Sequence, residues 1–225
     1  MRHFVFNGGV TPVFVSEVRA PSVASEVDGI HMGLCGANGV RVVDFLMKYP
    51  AVAVGKQQSI KYVREGLPVI RKVTNGTAVI FMGTELSLSI SVGVNTLKDV
   101  KTTTGVRKWF TQQMANTLYS LYGISCDVVD IGSRHPYKPA GCFNALTKGE
   151  IAYKGRKLLG VSFTRYGKVI FGHMMLYMDP KYHHLYEYVD RVDGEVDPIA
   201  IREIVPEACR KVILQEFQER IMMYE

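Results

Sequence analysis

The sequence predicts an α+β fold from three observations. Many short runs are rich in Val, Ile, Tyr and Phe, a few stretches carry helical apolar spacing, and the two kinds are not regularly interleaved. A doubly wound sheet would show that interleaving. The strand candidates are Phe4 to Phe6, Val13 to Val18, Ala51 to Gly55, Val69 to Lys72, Ala78 to Phe81 and Leu86 to Val92. Cys126 to Ile131, Glu150 to Tyr153, Lys157 to Thr164 and Lys168 to Met178 complete the set. Gly, Asn and Pro bound most of them, and Arg165-Tyr166-Gly167-Lys168 reads as a hairpin turn joining the last two.

The helical signals are fewer. Pro21 suits a first turn, and Val23, Val27, Ile30 and Leu34 follow at helical spacing until Gly36. Ser59 to Gly66 predicts a shorter helix. Val106, Trp109, Phe110, Met114, Leu118 and Leu121 draw one apolar stripe that stops at Gly123, a residue suited to a C-terminal cap. Beyond Pro206, Val212, Ile213, Phe217 and Ile221 predict a closing amphipathic helix. Each stripe is read as a core-packing face.

With 225 residues, 47% of them hydrophobic, the chain suits one core, and residues 1–225 are expected to form a single domain. No run approaches the roughly 20 apolar residues of a membrane helix, and the N-terminus lacks a signal-peptide layout, so a cytoplasmic protein without membrane partners is expected. Cys35, Cys126, Cys142 and Cys209 form no CxxC pair and no zinc-spaced cluster, so they read as reduced thiols and no metal site is expected. The net charge of +6 is scattered, without the basic and aromatic interleaving of a single-strand binder, so no nucleic acid partner is expected. A mildly basic surface also suits an acidic protein partner.

Four segments could carry chemistry. Ala51 to Gly55, followed by Lys56-Gln57-Gln58, is an apolar strand that ends in Gly and an amide pair. Arg71-Lys72-Val73-Thr74-Asn75-Gly76-Thr77 sets two cations before a small-residue turn, a layout that can hold a carboxylate, phosphate or acyl oxygen; a plain Asn-Gly hairpin turn explains it nearly as well. Thr84-Glu85-Leu86-Ser87-Leu88-Ser89 follows as a polar and apolar alternation. The third segment runs from Gly141-Cys142-Phe143 to Gly155-Arg156-Lys157-Leu158-Leu159-Gly160-Val161-Ser162, with a lysine among residues that let a ligand approach the backbone. The fourth, Val169 to Leu176, places His173 in an apolar strand, where a hydrogen-bonded core histidine is the commoner role.

In this order the segments resemble the catalytic domain of the lipoate-protein ligase and octanoyltransferase family, which shares its fold with biotin ligases. The resemblance covers roughly Arg41 to Met178. It implies a central, mostly antiparallel sheet flanked by helices, and transfer of a lipoyl or octanoyl group to a lysine of a lipoyl carrier domain. By position, Arg71, Lys72, Thr74, Asn75, Gly76 and Thr77 match the substrate-binding loop, and Lys157 matches the lysine that holds the acyl carbonyl. Gly160, Val161 and Ser162 would line the pocket, with His173 behind it.

Some positions depart from the family pattern. Lys72 stands for a second Arg, Asn75 for a Gly, Phe81 for a His and Met174 for a Gly. A side chain at position 75 obstructs close backbone approach, and lysine lacks the bidentate fork of arginine. Cys142-Phe143 ahead of Gly155-Arg156-Lys157 resembles the arrangement of relatives that dispense with ATP and carry the acyl group as a cysteine thioester. Arg134, His135, Lys138 or Lys157 nearby would lower the thiol pKa.

Lipoate or octanoate is therefore the implied substrate, with ATP and Mg as an alternative route. The implied partners are a lipoyl carrier domain, an acyl carrier protein or a separate accessory subunit. A reading from a different class is a non-catalytic relative that binds a lipoyl group, carrier domain or other cofactor, motivated by the departures at Asn75 and Phe81.

Overall fold

The computed structural model describes residues 10–60, 63–75, 78–96, 102–130, 146–180, 185–188 and 198–223. In chain order these form β1 (Val13–Arg19), α1 (Ala24–Cys35), β2 (Val40–Met47), β3 (Ala51–Val54), β4 (Val69–Arg71), β5 (Val79–Phe81) and β6 (Leu86–Gly93). After these come α2 (Thr103–Tyr122), β7 (Asp127–Val128), β8 (Ile151–Tyr153), β9 (Arg156–Tyr166) and β10 (Val169–Leu176). The short helices α3 (Leu185–Tyr188) and α4 (Ile201–Ile204) precede α5 (Arg210–Met222).

A seven-stranded sheet runs β1-β2-β6-β10-β9-β8-β7, and a three-stranded sheet runs β4-β3-β5. In the larger sheet only β1 and β2 pair in parallel, joined through α1; its other pairs are antiparallel. In the smaller sheet β3 pairs in parallel with β4 and antiparallel with β5. The α+β architecture with a mostly antiparallel sheet is thus observed, with a second sheet added.

The two faces of the large sheet bury different partners. One face packs Leu88, Ile90, Ile170, Met174, Leu159 and Val161 against Val106, Phe110, Met114 and Leu118 of α2 and Ile213 and Phe217 of α5. The other packs Phe45, Met47, Met175 and Tyr177 against the small sheet through Ala53, Ile70, Val79 and Phe81. Strand alternation with period two produces this division: His173 and Met175 point one way, Met174 and Leu176 the other.

α2 behaves as its sequence predicts. The Thr102 side chain accepts from the Gly105 amide, and Gly123 ends the helix in the left-handed region at φ 67°. The β9–β10 hairpin is also as expected, with Tyr166 paired to Val169 and Gly167 at φ 54°.

Three expectations are corrected. The list of strand candidates omits Val40–Met47, which forms β2 in the middle of the large sheet. Arg41 and Asp44 interrupt its apolar run, yet Asp44 is buried and paired with Arg210. Ser59 to Gly66 is not an α-helix among its described residues; a turn closes from the Val63 amide to the Ile60 carbonyl. A segment of about eight residues recovers little of the cost of helix nucleation, and Val63 and Leu67 are instead used to pack against the smaller core.

The third correction concerns α1, whose apolar stripe faces solvent: Val23, Ile30 and Leu34 are exposed, while Ala24, Asp28, His31 and Cys35 are buried. Polar partners beneath the helix turn it around, as the site shows. The expected strand Phe4 to Phe6 lies outside the described residues. Among those described, no helix is long and apolar enough to cross a membrane.

The cysteines Cys35, Cys126 and Cys209 are free thiols. Burial pushes Cys35 and Cys126 up to about 11, whereas the Val212 and Lys211 amides at the start of α5 hold exposed Cys209 below its ordinary value. A limiting amount of iodoacetamide at pH 7.5 should therefore modify Cys209 before Cys35 or Cys126, as read by peptide mass spectrometry. Equal labelling of the three would contradict this environment.

Candidate active site

β1 is amphipathic, and its last residue, Arg19, is turned inward at 2% exposure. One guanidinium nitrogen, Nη1, donates to Asp28 Oδ1 at 2.7 Å and to Ser89 Oγ at 3.2 Å, while Nε donates to Glu17. The guanidinium carbon lies 4.1 Å above the ring of Phe45, a cation–π arrangement. Asp28 comes from the inward face of α1, and Ser89 Oγ donates to its Oδ1 at 2.9 Å.

The other carboxylate oxygen, Asp28 Oδ2, stands 2.8 Å from His173 Nε2 on β10. His173 Nδ1 in turn lies 3.2 Å from Thr74 Oγ1, and Thr74 is fully buried. Five side chains from α1, β1, β6, β10 and the loop after β4 thus form one buried polar cluster. Burial pushes the Asp28 carboxyl up, but the His173 and Arg19 charges and the hydrogen bonds from His173 and Ser89 outweigh it and hold the pKa below its ordinary value. Glu17 extends the cluster to His31, which accepts from Arg41 Nε at 2.8 Å.

Beside this cluster a narrow cavity of about 50 Å³ lies between the large sheet, the small sheet and α1. Phe45, Met47, Ala53, Ile70, Val79, Phe81 and Met175 make its walls mainly apolar. Arg19, Asp28, Lys72, Ser87, Ser162 and His173 supply polar groups. Met47 and Met175 are flexible enough to let it widen around a chain.

Of the residues the sequence singles out, Lys72, Gly160, Val161, Ser162 and His173 line this cavity. The Val161 side chain packs into the core on the α2 side. Thr74 buttresses His173. The loop from Val73 to Asn75 is tied down through its carbonyls: Tyr166 Oη donates to Val73, the Lys56 amide to Thr74 at 2.9 Å, and Ser162 Oγ to Asn75 at 2.6 Å.

Arg71 is not on the cavity wall. Its Nη1 donates to the carbonyls of Gly55, Lys56 and Gln58 at 3.0, 3.2 and 2.9 Å, which fixes the turn after β3. Lys157 is also away from the wall. It sits on the face of β9 shared with Leu159 and Phe163, 1% exposed, with Nζ 2.6 Å from Glu150 Oε1. Cys142, Gly76 and Thr77 lie outside the described residues, as do Arg134, His135 and Lys138. Among the described residues no group of three His, Cys, Asp or Glu side chains stands at metal-binding distances.

Sequence reasoning missed Arg19 and Asp28, and met Ser87 and Ser89 only as part of the alternation that runs from Thr84 to Ser89. An arginine at the end of a Val-rich run and an aspartate within a helix that carries an apolar stripe are the only local hints, and neither reveals its partner.

Comparison with known proteins gives a consistent result. The profile of the lipoyl protein ligase A/B catalytic domain family matches residues 38–223. Among solved structures, lipoate-protein ligase A bound with ATP superposes with a TM-score of 0.74 at 13% identity, covering 94% of this chain and 86% of that one. P. falciparum LipL1 in complex with lipoate gives 0.69 at 14% identity over 95% of this chain, which spans only 62% of that protein. The bipartite lipoate protein ligase from Thermoplasma acidophilum, studied with its E2 lipoyl domain, gives 0.67 at 13% identity over 94% of this chain and 84% of that one. No curated protein matches the sequence. The fold is the biotin/lipoate-ligase type that the motif order implies.

Proposed function

Starting from a chain that belongs to the lipoyl protein ligase A/B catalytic domain family, we propose that it transfers a lipoyl or octanoyl group to a lysine of a lipoyl carrier domain. The observation that carries this reading is the apolar cavity bounded by Lys72, Ser162 and His173. An eight-carbon chain suits such walls: burying its six methylenes contributes about 5 kcal/mol at about 0.8 kcal/mol each. Gly160 adds no side chain to the strand surface there, which lets the chain approach β9.

Lys72, which lines the cavity, can offset negative charge that develops on the acyl oxygen. Lys157, which matches the family lysine by position, would have to leave Glu150 to act there. In the ATP-independent route the Cys142 thiolate attacks the acyl thioester of a carrier protein, releases the carrier thiol and becomes the acyl thioester. The carrier-domain lysine then attacks that thioester, forms the amide and returns the thiol. In the alternative route lipoate and ATP give an acyl-adenylate and pyrophosphate, and the lysine then attacks the adenylate, forms the amide and releases AMP.

Incubation with octanoyl carrier protein, and separately with lipoic acid, ATP and Mg, followed by mass spectrometry of the acceptor domain, distinguishes the routes. Octanoyl transfer is the expected product, and its loss in Cys142→Ala is the expected result for the thioester. Undiminished transfer in that variant rejects the thioester, and no product under either condition rejects acyl transfer.

One observation favours a second reading. The Lys157 ammonium is engaged by Glu150 and stands away from the cavity, an arrangement that suits a non-catalytic relative binding a lipoyl group. Calorimetric binding of lipoate without turnover in either assay would select it.

A further inference from the structure

On the α2 side of the large sheet, Lys157 and Glu150 form an ion pair at 2.6 Å, with both side chains buried. Under the acyl-transfer reading Lys157 has to leave this pair to meet charge on the acyl oxygen. Glu150 cannot follow it. Its Oε2 accepts from the Thr147 amide at 2.7 Å, its own amide donates to the Thr147 carbonyl at 3.2 Å, and its carbonyl accepts from the Val129 amide at 2.9 Å. Departure of the lysine would therefore leave a carboxylate buried in the core, which is the unfavourable part of breaking such a pair.

A second cation stands beside that carboxylate. Arg107 lies near the start of α2, and Thr111, one turn further along the same face, donates from Oγ1 to the Gly149 carbonyl at 2.9 Å. The Arg107 side chain is thereby laid over Gly149, whose φ is 85° and where an added side-chain carbon would fall 2.7 Å from Arg107 Nε. Glycine at this position lets the guanidinium pack next to Glu150. Arg107 Nε is buried and has no hydrogen-bond partner among the described residues. The carboxylate of Asp130 is taken by Lys108 at 3.0 Å. Burial pushes the Arg107 guanidinium below its ordinary pKa, and the charge on Glu150 works against that shift. Glu150 thus lies in the field of two cations while Lys157 holds the contact.

We propose that Arg107 is the reserve counterion of Glu150: when Lys157 leaves to meet the acyl oxygen, the Arg107 guanidinium closes on Glu150 and keeps the buried carboxylate paired. Arg107 touches no substrate in this scheme and is a positioning residue. The proposal rests on the acyl-transfer reading and explains how a buried lysine is released for it.

The first test reads stability by urea titration of the full chain, as a double-mutant cycle. Arg107→Gln in the otherwise native chain should change the folding equilibrium constant by less than about threefold, because Lys157 already serves Glu150. In the Lys157→Met chain, where Arg107 is the cation left beside Glu150, the same substitution should lower it by about tenfold or more beyond the loss from Lys157→Met itself. Equal effects in the two backgrounds would overturn the proposal.

The second test reads transfer to the acceptor domain and does not need the Lys157 variant to fold. Arg107→Gln and Arg107→Met should each lower kcat about tenfold or more and leave KM for the acyl donor within about twofold, since the cation acts only once Lys157 has moved. Arg107→Lys, which restores the charge without the shape, should recover most of the rate. An unchanged kcat in Arg107→Gln, or recovery by Arg107→Met as complete as by Arg107→Lys, would overturn the reserve role and leave acyl transfer standing. If the native chain transfers nothing, the acyl-transfer reading falls and this inference with it.

Discussion

Replacing Asp28 by Ala should lower the unfolding free energy by about 3–5 kcal/mol in urea titration, the range for removing one partner of a buried ion pair. Asp28 is 3% exposed and meets Arg19, Ser89 and His173 at once. Its loss leaves a buried guanidinium facing only part of its former partners. Asp28→Asn keeps the shape and removes the charge, so it isolates the electrostatic part.

The pH dependence of that part has a definite sign. The folded-state pKa of Asp28 is lowered, so its ionisation stabilises the fold above the unfolded value near 3.8 and loses that effect as pH falls toward the folded value. The stability gap between the native chain and Asp28→Asn should accordingly narrow as pH falls below about 4. A gap that widens on acidification would reject the assignment. Alanine at position 28 costing less than about 1 kcal/mol, the scale of an exposed ion pair, would show that the cluster is solvated.

The second large effect concerns Lys157. It is buried with Glu150, and their contact is 2.6 Å. Lys157→Met alone should cost about 3–5 kcal/mol of stability because it strands the carboxylate, whereas Lys157→Met combined with Glu150→Gln should recover most of it. This double variant separates structure from chemistry. Under the acyl-transfer reading it should fold, with near-native circular dichroism and melting temperature, yet fail to modify the acceptor domain. A stable double variant with full transfer activity would show that the ion pair is structural and that Lys72 suffices beside the acyl group.

Much of this architecture is visible in the sequence where a single element carries its own signal. The α2 stripe from Val106 to Leu121 and its Gly123 cap, and the turn at Gly167, depend on neighbours a few residues away, and the structure follows them. β2 was hidden because Asp44 makes its pairing with Arg210, 166 residues distant. α1 was misread for the same reason. Its spacing is helical, but which face turns inward depends on Arg19 and His173, and polar complementarity beneath the helix outweighs exposure of Val23, Ile30 and Leu34.

The site divides in the same way. Lys72, Gly160, Ser162 and His173 emerge from the order of motifs along the chain, and they line one cavity. Arg19 and Asp28 belong to no motif, because what makes them notable is a contact, which single-sequence patterns do not encode. Arg71 shows the opposite case: a prominent charge within a motif that holds a turn through three carbonyls rather than facing the cavity.

The buried polar cluster also orders events during synthesis. The contact between Arg19 and Asp28 spans 9 residues, whereas that between Thr74 and His173 spans 99 and that between Asp28 and His173 spans 145. The βαβ unit of β1, α1 and β2 can close early, but its buried carboxylate waits for β10, and contacts of such long range form slowly. Until position 173 has left the ribosome, a nascent chain has half a binding cleft and no means of gripping a ligand. Capture of substrate therefore reports on near-complete folding, and a ligand that stabilises the cleft would favour the late closure over the exposed intermediates that precede it.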